Sequence, residues 1–184
     1  MSEWREKSKQ AQDRPYNHRY SDIHDLVQKA AGKEQALILV LDHLTDVGNF
    51  GALIRSAEVV GADGIIIPNR RAAQVNDAVF RTSAGAVEWI PIVQVPNLVA
   101  AMATLKEAGF WIAGVTEHAG QGIWQAPLDG RLALVMGAED TGISRLVRES
   151  CDFEFQIPQF GRTQSLNVAQ AATVALYEWR RRQQ

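Results

Sequence analysis

A chain of 184 residues, 46% of them hydrophobic and 22% charged, is long enough to bury one ordinary core without disulfides or a metal. Nineteen Lys and Arg against 21 Asp and Glu leave a net charge of −2, so no global positive field gathers nucleic acid and any such binding is local. The lone Cys151 excludes an internal disulfide, the apolar runs fall far short of the ~20 residues of a spanning helix, and no signal-type leader opens the chain, which together predict a cytoplasmic protein.

The first twenty residues carry Arg5, Lys7, Lys9, Arg14 and Arg19 against Glu3, Glu6 and Asp13, with Trp4, Tyr16 and Tyr20 interleaved. Such an arm can grip a phosphate backbone and stack on bases, and it serves equally as a solvated terminus. "SDIHDLVQKAAG" then predicts a short helix with Ser21 as its cap and Gly32 as its stop. Residues 1–35 read as a separable arm and short helix, and 36–184 as the folded domain.

From Ala36 the chain alternates. "ALILVL" (36–41) reads as a buried strand, and "FGALIRSAEVVG" (50–61) spaces its apolar residues as a one-sided helix that Gly61 ends. Strand 64–68, a helix around 75–83, strand 89–95 and helix 97–109, capped by Asn97 and stopped by Gly109, follow. Next come strand 110–115, a glycine-rich connection, strand 132–137, a short helix from Ser144, strand 153–157 and helix 167–181. Strands apolar on both faces and joined by helices predict an α/β fold, a mostly parallel six-stranded sheet with helices on both faces. Ligands in such folds sit beyond the carboxyl ends of the strands, which makes three loops worth close reading.

The loop "LDHLTDVGNFGALIRSA" (41–57) lacks the glycine frame of a dinucleotide site, since Gly48 and Gly51 fit no G-x-G-x-x-G. Asn49 stands near a helix N-terminus, where amides and dipole favour an anion, and Arg55 lies beside Gly51, Ala52 and Ser56, small neighbours that admit a bulky partner. Asn49 as a plain cap and Arg55 paired with Glu58 are the alternatives. In "LVMGAEDTGIS" (134–144), Gly137 ends a strand and Glu139 puts a carboxylate at the sheet edge, although the stretch is also an ordinary polar turn. In "IPQFGRTQSLNVAQAATVALYEW" (157–179), Ser165 and Asn167 open a helix of small residues, where Asn167 is also a natural N-cap.

Taken together, these three stretches resemble, in order, the three motifs of the SpoU-type RNA 2′-O-ribose methyltransferases of the SPOUT superfamily, over about Leu37 to Trp179. Val47 stands where that family usually has proline and Ala169 where serine is common, and neither removes a proposed catalytic group. Many members carry a separate N-terminal RNA-binding domain, against about 35 residues before the first strand in this chain. The resemblance implies a C-terminal deep trefoil knot, a homodimer, and S-adenosylmethionine bound in bent form by the knot loops, with 158–166 as a cofactor wall. Gly137, Ile157 and Leu166 would line the adenosine pocket, and Gly114, Val115 and Thr116 would close it.

The implied reaction is attack of a ribose 2′-hydroxyl on the cofactor's methyl group, giving S-adenosylhomocysteine. The family points to Arg55, whose high pKa makes it a poor base; it is expected to hold the adjacent phosphate and stabilise the developing alkoxide. Asn49, Glu139, Ser165 and Asn167 would orient the ribose, the phosphate and Arg55. Arg70, Arg71 and Arg81 are candidate RNA contacts, or simply solvated loop charges. The four histidines show no metal-ligand spacing, so no metal is expected. The glycine frame of a dehydrogenase is missing, "RTQSLNV" is not the elbow of a serine hydrolase, and a catalytically silent RNA-binding protein is the remaining rival. Ribosomal RNA is the favoured substrate over transfer RNA.

Overall fold

In the computed structural model the described residues are 16–163 and 165–184. They form one six-stranded sheet: β1 (Ala36–Asp42), β2 (Gly64–Pro68), β3 (Ile92–Val95), β4 (Trp111–Val115), β5 (Arg131–Gly137) and β6 (Phe153–Phe155). The order is β3-β2-β1-β5-β4-β6 and every pairing is parallel. Each step between neighbouring strands crosses over a helix or a long loop, which parallel pairing requires.

Period-two geometry sends β1 into two cores at once. Leu37, Leu39 and Leu41 enter one, Ala36, Ile38 and Val40 the other, and all are buried. The first core is covered by α2 (Val47–Val60), α3 (Asp77–Thr82) and α6 (Val168–Arg182). The second lies under α1 (Ile23–Ala31), α4 (Leu98–Glu107) and α5 (Arg145–Glu149). Trp179 of α6, 1% exposed, is the largest buried side chain, and its indole donates to the Gly130 carbonyl at 3.2 Å. Truncating it to alanine would cost about 3–5 kcal/mol.

Several expected boundaries move, each for a local reason. Asp22, not Ser21, caps α1 by accepting from the His24 and Asp25 amides, because Ser21 is drawn into a bridge beside Val93. The strand expected over 89–95 begins at Ile92: Ala86–Glu88 forms a 3₁₀ turn, Trp89 is exposed, and Pro91 has no amide to give a ladder. The last strand stops at Phe155, and Gln156 bridges to Gly122 instead. The final helix runs from Val168 to Arg182.

Residues 16–35 pack against the domain. Leu26, Val27 and Ala30 of α1 belong to the second core. The Tyr20 hydroxyl accepts from the Val75 amide at 3.0 Å, and the rings of Tyr16 and Phe80 meet at 4.8 Å. The arm's Trp4, Arg5, Lys7, Lys9 and Arg14 lie outside the described residues. Among those described, no helix is long and apolar enough to cross a membrane.

Candidate active site

The carboxyl ends of β4, β5 and β6 open on a cavity of about 430 Å³. Its walls come from 115–118 after β4, 136–143 after β5, Ile157 and Gln159 after β6, and 165–168 with Ala171 at the start of α6. Four segments distant in sequence meet because parallel strands end on one edge.

The 137–143 loop turns back on itself. Ala138 and Gly142 exchange two backbone hydrogen bonds, 3.2 and 2.8 Å, and Gly137 lies so close to the Gly142–Ile143 backbone that a Cβ there would overlap it. Asp42, 1% exposed, anchors the far end: it accepts from the Ser144 amide at 2.6 Å and from His43 Nδ1 at 2.6 Å. Sequence reading passed over Asp42. Its signal was available, since a carboxylate closing a strand buried on both faces must find donors.

At the rim, the three motifs are joined by one chain of side chains. Asn167 Nδ2 donates to Asn49 Oδ1 at 2.9 Å, and Asn49 Nδ2 donates to the Glu139 carboxylate. Asn49 is free to do this because Asp46 is the cap of α2, accepting from the Asn49 amide at 2.6 Å. Asn167 fills both roles expected of it, since its Oδ1 also caps α6 through the Ala169 amide at 2.9 Å. Burial first, then the charges of Asp46 and Asp140, raise the Glu139 carboxyl above its ordinary value.

Of the expected cofactor residues, Val115, Thr116, Gly137, Ile157 and Leu166 line the cavity. Gly114 does not. It lies within β4, where a Cβ would press on Cys151 Sγ at 3.2 Å and Ile143 Cδ1 at 3.3 Å, so its bareness serves packing. Of the stretch 158–166 expected as a cofactor wall, Gln159, Ser165 and Leu166 line the cavity and Phe160 does not; Glu139 and Asn167 are also in the wall, and Asn49 reaches it through hydrogen bonds to those two.

Arg55 is exposed on α2 and is not part of the wall. The pairing with Glu58 does not form; among the described residues the arginine ion pairs are those of Arg145, Arg148, Arg181 and Arg182. Gly51 and Ser56, small residues beside Arg55, are themselves covered by neighbouring helices. A Cβ on Gly51 would meet Thr82 Cβ at 2.6 Å and the Ser83 amide at 2.8 Å, and Ser56 Oγ lies 2.7 Å from Thr173 Oγ1. They let α3 and α6 pack on α2. Arg70 and Arg71 are exposed on the turn after β2, and Arg81 is exposed on α3.

Residues that sequence reading missed set the cavity's charge. Glu117 and Asp140 line it beside Glu139, while Arg148, also in the wall, is engaged by Glu154 through two hydrogen bonds of 2.5 and 2.8 Å. With Ile157, Leu166, Val168 and Ala171 as the apolar part, the cavity suits a ligand with a flat apolar body and a positive charge. Among the described residues no cluster of three or more His, Cys, Asp or Glu is placed to hold a metal ion.

Residues 36–177 match the family model described as the SpoU rRNA Methylase family. The chain is 44% identical over 158 residues to the 23S rRNA (guanosine-2′-O-)-methyltransferase RlmB of Vibrio parahaemolyticus, covering 86% of this chain and 63% of that one. It is 41% identical over 169 residues to an uncharacterized tRNA/rRNA methyltransferase of Synechocystis, covering 91% and 44%. The chain thus spans about half to two thirds of the length of these relatives. The crystal structure of the SpoU methyltransferase AviRb from Streptomyces viridochromogenes in complex with AdoMet is similar at a TM-score of 0.75 and 34% identity, covering 82% of this chain and 59% of that one.

Proposed function

This chain belongs to the SpoU rRNA methylase family, and on that premise we propose that it transfers a methyl group from S-adenosylmethionine to a ribose 2′-hydroxyl of ribosomal RNA. The observation that carries the proposal is the Asn167–Asn49–Glu139 chain, which ties all three motifs to the rim of one cavity. The cavity's volume and chemistry suit this cofactor: apolar Ile157 and Leu166 for the adenine, and Glu117, Glu139 and Asp140 for the positive charges. When bound, the cofactor supplies a methyl group on a sulfonium, and the remaining work is positioning.

That work falls to this chain's own groups. Asn49 and Asn167, held by each other, present fixed donors and acceptors to the ribose at the rim, and Ser165 adds a hydroxyl. Glu139, which accepts from Asn49, offers a carboxylate to orient the ribose or the cofactor's positive groups. Arg55, exposed and without an ion pair among the described residues, is available to hold the adjacent phosphate and neutralise the developing alkoxide. Arg70 and Arg71, beyond the carboxyl end of β2, and Arg81 on α3 extend the phosphate contacts. The proposal includes cytoplasmic location, a C-terminal deep trefoil knot and a homodimer. The exposed Val174 and Tyr177 on one face of α6 support a partner copy.

The test is incubation with methyl-labelled S-adenosylmethionine and separate pools of undermethylated ribosomal and transfer RNA, followed by nucleoside mass spectrometry. A labelled 2′-O-methyl nucleoside from ribosomal RNA is expected. Label in transfer RNA alone would correct the substrate, and no label in either pool, with cofactor binding demonstrated, would refute the activity. Arg55→Ala should abolish transfer while leaving cofactor affinity unchanged; loss of both together would rule Arg55 out as the phosphate-holding group.

A further inference from the structure

Two aromatic side chains stand in solvent on the loops that build the cavity. Trp124, 57% exposed, is on the loop that gives Thr116, Glu117 and His118 to the wall, and Phe160, 86% exposed, directly follows the wall residue Gln159. Their rings lie within 19° of parallel with centroids 6.4 Å apart. At that separation the rings are either offset or separated by a gap, and both stand largely in solvent.

The Trp124 side of the pair is held in place by the backbone beneath it. The Ile123 amide donates to the Gln156 carbonyl at 2.8 Å, and the Gln156 amide donates to the Gln121 carbonyl at 3.0 Å, which fastens one loop to the other. Arg182 then fixes the Trp124 turn, donating to the carbonyls of Ile123, Trp124 and Ala126 at 3.0, 2.9 and 2.5 Å. Glu178 accepts from Arg182 Nε at 2.9 Å and keeps the guanidinium aimed. On the Trp124 side, little ordering remains to be done when a planar ligand arrives.

We propose that Trp124 and Phe160 form a stacking platform for an unpaired nucleobase flanking the target nucleotide of the RNA. The inference rests on the methyltransferase reading above and adds a substrate-recognition site to it. Bases stack on aromatic faces whatever their sequence. Phe160 directly follows the wall residue Gln159, which puts the pair at the cavity's edge. The exposed neighbours are Gln125, Gln159 and Arg162, which suit base edges and a phosphate. The core of a protein–protein interface is a broader apolar patch than two rings among glutamines and an arginine.

The experiment measures KM for undermethylated ribosomal RNA and, separately, cofactor affinity, for the intact chain and for Trp124→Ala, Phe160→Ala and Phe160→Tyr. Each alanine variant should raise the RNA KM on the order of tenfold, the loss of one stacked base. Cofactor affinity, melting temperature and kcat at saturating RNA should stay unchanged, and Phe160→Tyr should retain the original KM. An unchanged KM in both alanine variants, with the parent active, overturns the platform and leaves the methyltransferase reading standing. Light scattering that shows a dimer reduced to monomer, with KM unchanged, overturns it in favour of a contact between copies. A parent chain that methylates neither ribosomal nor transfer RNA overturns the underlying reading, and the platform with it.

Discussion

Gly137→Ala is the sharpest perturbation of the cavity, because the new methyl group would enter backbone, not a yielding side chain. A Cβ at this position would fall within 3.0 Å of the Gly142 carbonyl group and the Ile143 amide, a separation real Cβ atoms essentially never show. The loop has to retreat, and the two Ala138–Gly142 hydrogen bonds that close it, 3.2 and 2.8 Å, are lost with that movement. At about 1 kcal/mol each, plus about 1–2 kcal/mol for the displaced packing, the cost is about 3–4 kcal/mol. For a chain of this size that lowers Tm by roughly 6–16 °C. Differential scanning calorimetry measures the stability, and isothermal titration with S-adenosylmethionine measures the cavity; affinity should fall by about tenfold or more because the same loop carries Glu139. Two controls separate space from backbone conformation. Gly142→Ala meets no neighbour but has a φ of +65°, so it should cost about 1–2 kcal/mol. Gly120→Ala meets neither problem and should lie within about 0.5 kcal/mol of the parent. A Gly137→Ala variant with the parent's melting temperature and cofactor affinity would refute the close-approach argument.

Three further outcomes follow from named contacts. Asn49→Ala removes the link between Glu139 and Asn167 but not the cap of α2, which is Asp46. Single-turnover methyl transfer should fall on the order of 10²-fold with Tm nearly unchanged, and an equally large loss of stability would show that the link is structural. Burial foremost, then the charge of Glu154, pushes the Cys151 thiol up to about 12. Iodoacetamide at pH 7.5 should therefore modify the folded chain far more slowly than the urea-unfolded chain, and equal rates would contradict that environment. Hydrogen bonds from Arg181 and then Arg182 hold the Glu178 carboxyl down at about 2. A depressed folded-state pKa stabilises the fold above the ordinary carboxylate range, and that contribution is lost as pH falls from there through about 2. Glu178→Gln should cost about 1–2 kcal/mol at pH 7, discounted because Arg181 is solvent-screened, and nothing near pH 2; a pH-independent difference in melting would refute this assignment.

Local patterning made the main elements legible. "ALILVL" has no polar face, so it reads as a strand covered on both sides, and β1 does feed two cores. Gly61 and Gly109 mark chain reversals after helices, and both have positive φ. The misread boundaries fell where a tertiary partner competes with the local signal. Ser21 is a good cap by residue type, yet its amide bonds the Ile92 carbonyl at 2.8 Å and the capping passes to Asp22. The sequence shows the apolar stripe of α1 without showing that the second core covers it.

The candidate site divides along the same line. The resemblance of the three ordered motifs pointed to Asn49, Glu139, Ser165 and Asn167, whose residue types alone also fit caps and polar turns. That Asn49 is a bridge and not a cap was decided only when α2, the β5 loop and α6 met, because 118 and 90 residues of chain separate its partners from it. Gly114 shows the reverse case: the resemblance placed it at the cofactor, and the strand turned it toward Cys151 and Ile143. The sequence by itself determined the alternation of strands and helices and the residue types offered at the sheet edge, because hydrophobic period and turn chemistry act over a few residues. Only the tertiary structure decided which carboxylates share a cavity, which glycines make room for backbone, and that Trp124 and Phe160 stand side by side, because those depend on strand order, and strand order is set by long-range packing.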